Sequence, residues 1–108
     1  GIGALKNNHY LNSVGLVNDE DLEELRQAGA VCDLLGSFYD LQGKPVDSPI
    51  NHHALGISAS DVEGKRVMAV AAGLGKEYAI LAALRSQLLT DLVMDEATAQ
   101  ALLAIKEA

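Results

Sequence analysis

Residues 66–87 read RVMAVAAGLGKEYAILAALRSQ, and the fold turns on them. RVMAVAAG is a continuous apolar run, such as a buried parallel strand shows. Gly73-Leu74-Gly75-Lys76 interrupts it. Beyond the turn, Ile80, Ala83, Leu84 and Gln87 recur at helical spacing. A strand, a glycine-rich turn and an amphipathic helix in this order form a strand-to-helix unit. The turn between them is either a place for a phosphate or an ordinary corner.

The unit repeats toward the C-terminus. LTDLVMD is a second short apolar run, and Asp95 is placed to cap EATAQALLAIKEA, whose Ala101, Leu102 and Ile105 make an apolar stripe. Strand, helix, strand, helix predicts an α/β fold with a mainly parallel sheet and right-handed crossovers. Ligands of such sheets sit at the carboxyl ends of the strands. Asp33, the Gly73–Lys76 turn and Asp95 are expected to gather there.

Upstream, VNDEDLEELRQAGA predicts a helix. Asn18 is a good N-cap, and the acidic residues at 19–21 match the helix dipole. Val17 and Leu22 are spaced as a hydrophobic staple, and Gly29 is a natural stop. AVCDLLGSFYD reads as a strand bent at Gly36. LQGKPVDSP reads as a turn, HALGIS as a short extended piece and SASDVEGK as one helical turn or a loop. Residues 1–17 read as loop with room for a short helix. The chain begins Gly1-Ile2-Gly3 without Met, which suggests a piece whose first strand lies upstream.

Composition narrows the function. The chain has 108 residues, enough for one modest core. Aromatics are 4% with no Trp, so Ala, Leu, Val and Ile must build that core. Net charge is −7 without a Lys/Arg cluster, which argues against direct contact with nucleic acid. No apolar stretch approaches ~18 residues, so no membrane span is expected. A single cysteine, Cys32, cannot close an intrachain disulfide.

The Gly73–Lys76 turn is the first candidate site. Glycines let backbone N–H groups approach an anion, and the following helix N-terminus adds partial positive charge. A Lys in a first helical turn opposes the dipole, so Lys76 is misplaced for its helix and well placed for an anion. The turn lacks the Walker pattern, because Glu77 follows the Lys, and it lacks the third glycine of the dinucleotide fingerprint. Spacing alone leaves phosphate cradle and plain corner both open. Gly1-Ile2-Gly3, near Lys6, is a weaker turn of the same kind. Asp33 interrupts an apolar strand, where a carboxylate either accepts hydrogen bonds from a sugar's hydroxyls or faces solvent. His9, His52 and His53 lack the spacing of a metal site. No serine stands in a nucleophile-elbow context. Cys32, beside Asp33, reads as a small packed residue. No cofactor is expected.

The ordered set of residues resembles a family. Asp33, Gly36, Phe38, Asp40, Gly43, Val46, Asn51 and Gly56-Ile57, then Gly73, Lys76, Ala79-Ile80, Ala83-Leu84 and Asp95-Glu96-Ala97-Thr98-Ala99 are similar to the effector domain of SorC-type (DeoR-like) bacterial transcriptional regulators. GIGAL and GLVNDEDLEEL also fit.

That resemblance implies that residues 1–108 are the C-terminal portion of a sugar-phosphate effector domain. Its implied fold is a Rossmann-like three-layer α/β/α, as in sugar-phosphate isomerases and CoA transferases. DNA would be bound only by an N-terminal helix-turn-helix domain outside this chain. It further implies a phosphorylated sugar as effector, a homo-oligomer (dimer or tetramer), a cytoplasmic location and no enzymatic activity. Asp33 is carried over as hydroxyl acceptor and Lys76 as phosphate partner. Leu35, two residues beyond Asp33, is expected to face the same pocket. Gly73, Gly75, Gly1 and Gly3 are weaker transfers. The chain departs from the family at Ala72 (for Gly), His53 (for Arg) and Met94 (for Thr). A phosphosugar isomerase or deaminase of the same fold is the rival reading, with Asp33, Asp95 and Glu96 as available bases. A third is an oligomerisation piece with no ligand.

Overall fold

A computed structural model describes residues 1–5, 15, 17–52 and 59–105. The elements run β1 (Ile2–Ala4), α1 (Asp19–Gln27), β2 (Ala30–Leu34), β3 (Ser37–Asp40), α2 (Pro49–His52), a 3-10 turn (Ala59–Val62), β4 (Met68–Ala71), α3 (Glu77–Arg85), β5 (Asp91–Met94) and α4 (Glu96–Leu103). The extended piece expected at 53–58 lies outside the described residues, as do Lys6, His9 and His53.

The expected βαβα unit is present. β4 and β5 pair in parallel, with Val70 opposite Val93 and Ala71 opposite Met94, and α3 connects them. The expectation of a mainly parallel sheet does not hold. β1, β2 and β3 form an antiparallel sheet with β2 in the middle. The reason lies at Leu35-Gly36. AVCDLLGSFYD is not one bent strand but a hairpin, and its two turn residues have φ of +56° and +83°. A two-residue hairpin needs positive φ at both positions to match the strands' twist. Gly36 adopts it without cost, while Leu35 is strained there. Of Gly1-Ile2-Gly3, expected as a turn, Ile2 and Gly3 lie in β1, antiparallel to β2, and Gly1 precedes it.

β2 is buried from both sides. Cys32 and Leu34 join Ile2, Tyr39, Ala69, Ala71 and the α3 residues Ala79, Ile80, Ala82 and Ala83 in one cluster. Ala30 and Phe38 join Val17, Leu22, Leu25 and Val46 in a second, beneath α1. A register irregularity between Ala30 and Cys32 turns the strand from one cluster to the other. The small alanines of α3 let its backbone lie close to β1 and β2, which it touches.

The helix signals read from sequence are in place. Asn18 and Asp21 form a reciprocal capping box, the staple residues Val17 and Leu22 are both buried, and Gly29 ends α1 with φ of +95°. Asp95 caps α4. Gln87, expected on the apolar stripe of α3, instead follows its C-cap in the left-handed region, at φ +62°. Cys32 is fully buried, and its thiol is pushed up to about 12, by burial first and by Asp33 and Asp40 second. It is inert packing.

Gly43 fixes the β3 end of the fold onto α3. The Asp40 carboxylate accepts from the Gln42 and Lys44 amides at 2.9 and 3.0 Å, tightening residues 40–44 into a loop. Arg85 Nη1 donates to the Leu41 carbonyl at 3.0 Å. Gly43 has φ +83°, and a Cβ there would overlap the backbone of Arg85 and Ser86. Backbone cannot swing aside as a side-chain tip can. Gly43→Ala is therefore expected to cost about 2 kcal/mol or more, combining overpacking with left-handed strain. A thermal melt should record a fall of roughly 8 °C or more, and an unchanged midpoint would contradict this packing.

Candidate functional site

β1 is where the candidate residues meet. Gly3 pairs with Asp33 across the antiparallel ladder, so both lie on one face. A Cβ on Gly3 would overlap Asp33 Oδ1 and stand 2.8 Å from Cγ. Gly3 is glycine because the Asp33 carboxylate occupies the space a side chain would take. A glycine inside a strand marks such a close approach. Phe38, on the other side of Asp33, buries its ring on that face beneath α1.

Lys76 comes to β1 from elsewhere. It is the N-cap residue of α3, in helical geometry (φ −98°, ψ −2°) and with no side-chain cap bond. Its Nζ donates to the Ile2 carbonyl at 3.1 Å. The peptide carrying that carbonyl leads directly into Gly3. Asp33 and Lys76 thus address consecutive residues of one short strand, from elements 43 positions apart in sequence (33 to 76). An ammonium carries three donors, and the Ile2 carbonyl takes one of them.

The Gly73–Lys76 turn is held from a third direction. Gly73 and Gly75 have φ of +126° and +88°, so both glycines serve backbone conformation. Nothing lies within 4 Å of a Cβ placed on Gly73. The Gly73 amide donates to Thr98 Oγ1 at 3.2 Å. Asp95, in the N-cap of α4, accepts from the Thr98 amide at 2.9 Å and from the Thr98 hydroxyl. These bonds hold the Asp95 carboxyl below its ordinary value. Asp95 therefore belongs to the turn's support, joined to it through Thr98.

Leu35 does not follow from Asp33 as expected. Strand alternation ends at Leu34, because Leu35 sits in the hairpin turn at φ +56°. It is half-buried against the cluster containing Cys32 and Leu34, whose side chains alternate with that of Asp33. Gly1 is exposed at the start of β1. Among the described residues, no three His, Cys, Asp or Glu side chains are grouped to hold a metal ion. No helix among them is long and apolar enough to cross a membrane. Sequence reasoning missed Thr98, whose position on a capped helix looks like ordinary packing.

Comparison with known proteins adds the family. Residues 1–104 match the family model described as "Putative sugar-binding domain", and the chain belongs to that family. It is 32% identical over 103 residues to the erythritol catabolism regulatory protein EryD of Brucella abortus, covering 95% of this chain and 33% of that protein. Among solved structures, a DeoR family transcriptional regulator from Listeria monocytogenes superposes with a TM-score of 0.87 at 32% identity, over 94% of this chain and 42% of that one. The full-length sorbitol operon regulator SorC of Klebsiella pneumoniae superposes at 0.80 with 26% identity, over 95% and 34%. The chain spans about a third of the length of the curated relatives it matches. The SorC and DeoR resemblance read from the residues therefore holds, and these relatives are transcriptional regulators.

The Asp95 cap has a pH consequence. Its folded value lies below the ordinary 3.8, so the stability it contributes is complete above about pH 4. That contribution is lost as the pH falls through the folded value. Asp95→Asn still offers an oxygen to the Thr98 amide but cannot titrate. Melts between about pH 5 and pH 2 should show the wild-type midpoint falling more steeply than that of Asp95→Asn. Parallel profiles would refute this account of the cap.

Proposed function

We propose that this chain is the C-terminal portion of the effector domain of a sugar-responsive bacterial transcription regulator. Its ligand is a phosphorylated sugar. Asp33 accepts hydrogen bonds from the sugar's hydroxyls and Lys76 pairs with the phosphate. The observation that carries this reading is that Asp33 and Lys76, from the α1 and α3 sides of the sheet, reach the adjacent residues Gly3 and Ile2 of β1. Family membership supports a sugar as ligand, the Lys76 turn suggests its phosphate, and the regulators it resembles suggest the role. Gly75 shapes the turn before Lys76, while Gly1 and Gly3 line the strand that both charged groups reach.

Sensing then works by population shift. The effector must bind one arrangement of a homo-oligomer better than another, and DNA affinity follows through a separate N-terminal domain. Regulators of this kind act in the cytoplasm, where their operators are. The whole domain completes a three-layer α/β/α fold of the isomerase and CoA-transferase type around β4 and β5. Its support is the face these strands leave bare. α3 packs with Ala69 and Ala71, whereas Met68, Val70 and Val93 are 54, 57 and 50% exposed. Parallel strands are normally covered on both faces. The remainder of the effector domain is the cover.

Calorimetry on the full-length regulator, with a panel of sugar phosphates and the matching unphosphorylated sugars, tests this. A phosphorylated member should bind, and its plain sugar should bind far more weakly. Lys76→Ala should weaken binding by more than ~1.5 kcal/mol, the low range for a charged partner. Equal affinity for the plain sugar, or for the Lys76→Ala protein, would overturn the phosphate assignment. Turnover of any member would favour an isomerase or deaminase.

Gly3→Ala separates site from scaffold. The added methyl must displace only the tip of Asp33, so the thermal midpoint should move little. Affinity should fall about tenfold, the order of a lost hydrogen bond to a charged group. Unchanged affinity would remove Asp33 from the site.

A further inference from the structure

We propose that Thr98 is the positioning residue of this site, setting the Gly73–Lys76 turn through one hydroxyl. The inference rests on reading that turn as the element that presents Lys76 to an anion. Thr98 is 2% exposed and is one of two buried polar side chains among the described residues, Ser48 being the other. A buried hydroxyl needs a partner, and the Gly73 amide supplies one. The Gly73 amide can only donate, so it fills a lone pair of Oγ1. The Asp95 carboxylate, which accepts from the Thr98 amide at 2.9 Å, stands beside the same hydroxyl. The hydroxyl's bond from the Gly73 amide ties the turn to the start of α4.

Three features make this more than a cap. First, Thr98 stands three residues after the N-cap Asp95, and its amide alone completes the cap. The hydroxyl is not needed for the helix start. Second, Gly73 is at φ +126° with open space around it, so no side-chain packing holds its conformation. The bond to Thr98 is the anchor of the residue where the turn leaves β4. Third, Lys76 lies three residues on and spans from α3 to the Ile2 carbonyl. A shift of the turn at Gly73 moves the root of Lys76 and, with it, the direction of its ammonium. The same bond removes the Gly73 amide from the donors open to an anion. The phosphate is left to Lys76 and to the first amides of α3, which have no intrahelical partner.

Thr98→Val keeps the shape and removes the hydroxyl. Thr98→Ser keeps the hydroxyl and serves as the rescue. In the full-length protein, two readouts are taken on wild type and both variants. The first is hydrogen–deuterium exchange of the peptide carrying Gly73, followed by mass spectrometry. The second is affinity for inorganic phosphate by calorimetry. Thr98→Val should exchange at Gly73 at least tenfold faster and bind phosphate at least fivefold more weakly, and Thr98→Ser should stay close to wild type in both. Wild-type protection of Gly73 in Thr98→Val would overturn the clamp. Faster exchange with unchanged phosphate affinity would overturn the positioning role. A Thr98→Ser protein as weak as Thr98→Val would show that the methyl, not the hydroxyl, matters. If wild type itself binds no phosphate, the anion reading of the turn fails, and Thr98 positions no ligand group. The exchange data still judge the clamp in that case.

Discussion

The left-handed turn at Leu35-Gly36 is the constraint on which the rest of the molecule depends. It folds the strand back on itself, so β2 becomes the middle of an antiparallel sheet with β1 on one side and β3 on the other. With β2 in the middle, both of its faces must be covered. α1 covers one with Leu22 and Leu25, and α3 covers the other with Ile80 and its alanines. The same placement sets Asp33 opposite Gly3. A leucine in the left-handed region costs roughly 1–2 kcal/mol. It is sustained because Leu35 also packs against the larger cluster. Strain of this kind persists where the surroundings over-determine it.

Much of the local structure was legible from sequence because it rests on side-chain chemistry. Asn18, Asp21 and Asp95 cap helices with their own oxygens, and Gly29 stops a helix by φ. The β4–α3–β5 unit was legible from apolar runs alone. The hairpin was not. Its usual signature is Asn-Gly or Asp-Gly, and here Leu35 stands in the first position with an apolar run on either side. Gly3 was misread for a related reason. Glycine is permitted in turns by its φ, but here it is required by the carboxylate of a residue thirty positions away (3 to 33). No local pattern reports a distant neighbour. Thr98 is the same case: a buried threonine near a helix start resembles packing until its partner at Gly73 is known.

Under the proposed function, the charges of Asp33 and Lys76 would also orient the ligand. The Asp33 carboxylate attracts hydroxyl donors and repels a phosphate, and the Lys76 ammonium does the reverse. On the proposed reading a sugar phosphate would run one way, with its hydroxyls toward the Gly3 side and its phosphate toward the turn. A net charge of −7 does not forbid this. At physiological salt, charges beyond about 8 Å are largely screened. The field at the turn is therefore set by its neighbours: Lys76, the N-terminus of α3, Glu77 and Asp95. Of these Glu77 and Asp95 are adverse, and Thr98 engages Asp95. Its carboxylate accepts from the Thr98 amide and hydroxyl, and those bonds spread its charge into the start of α4. Thr98 thus both anchors the turn and holds the Asp95 carboxylate in the cap of α4. The helix dipole that Lys76 opposes becomes an asset once an anion sits between them.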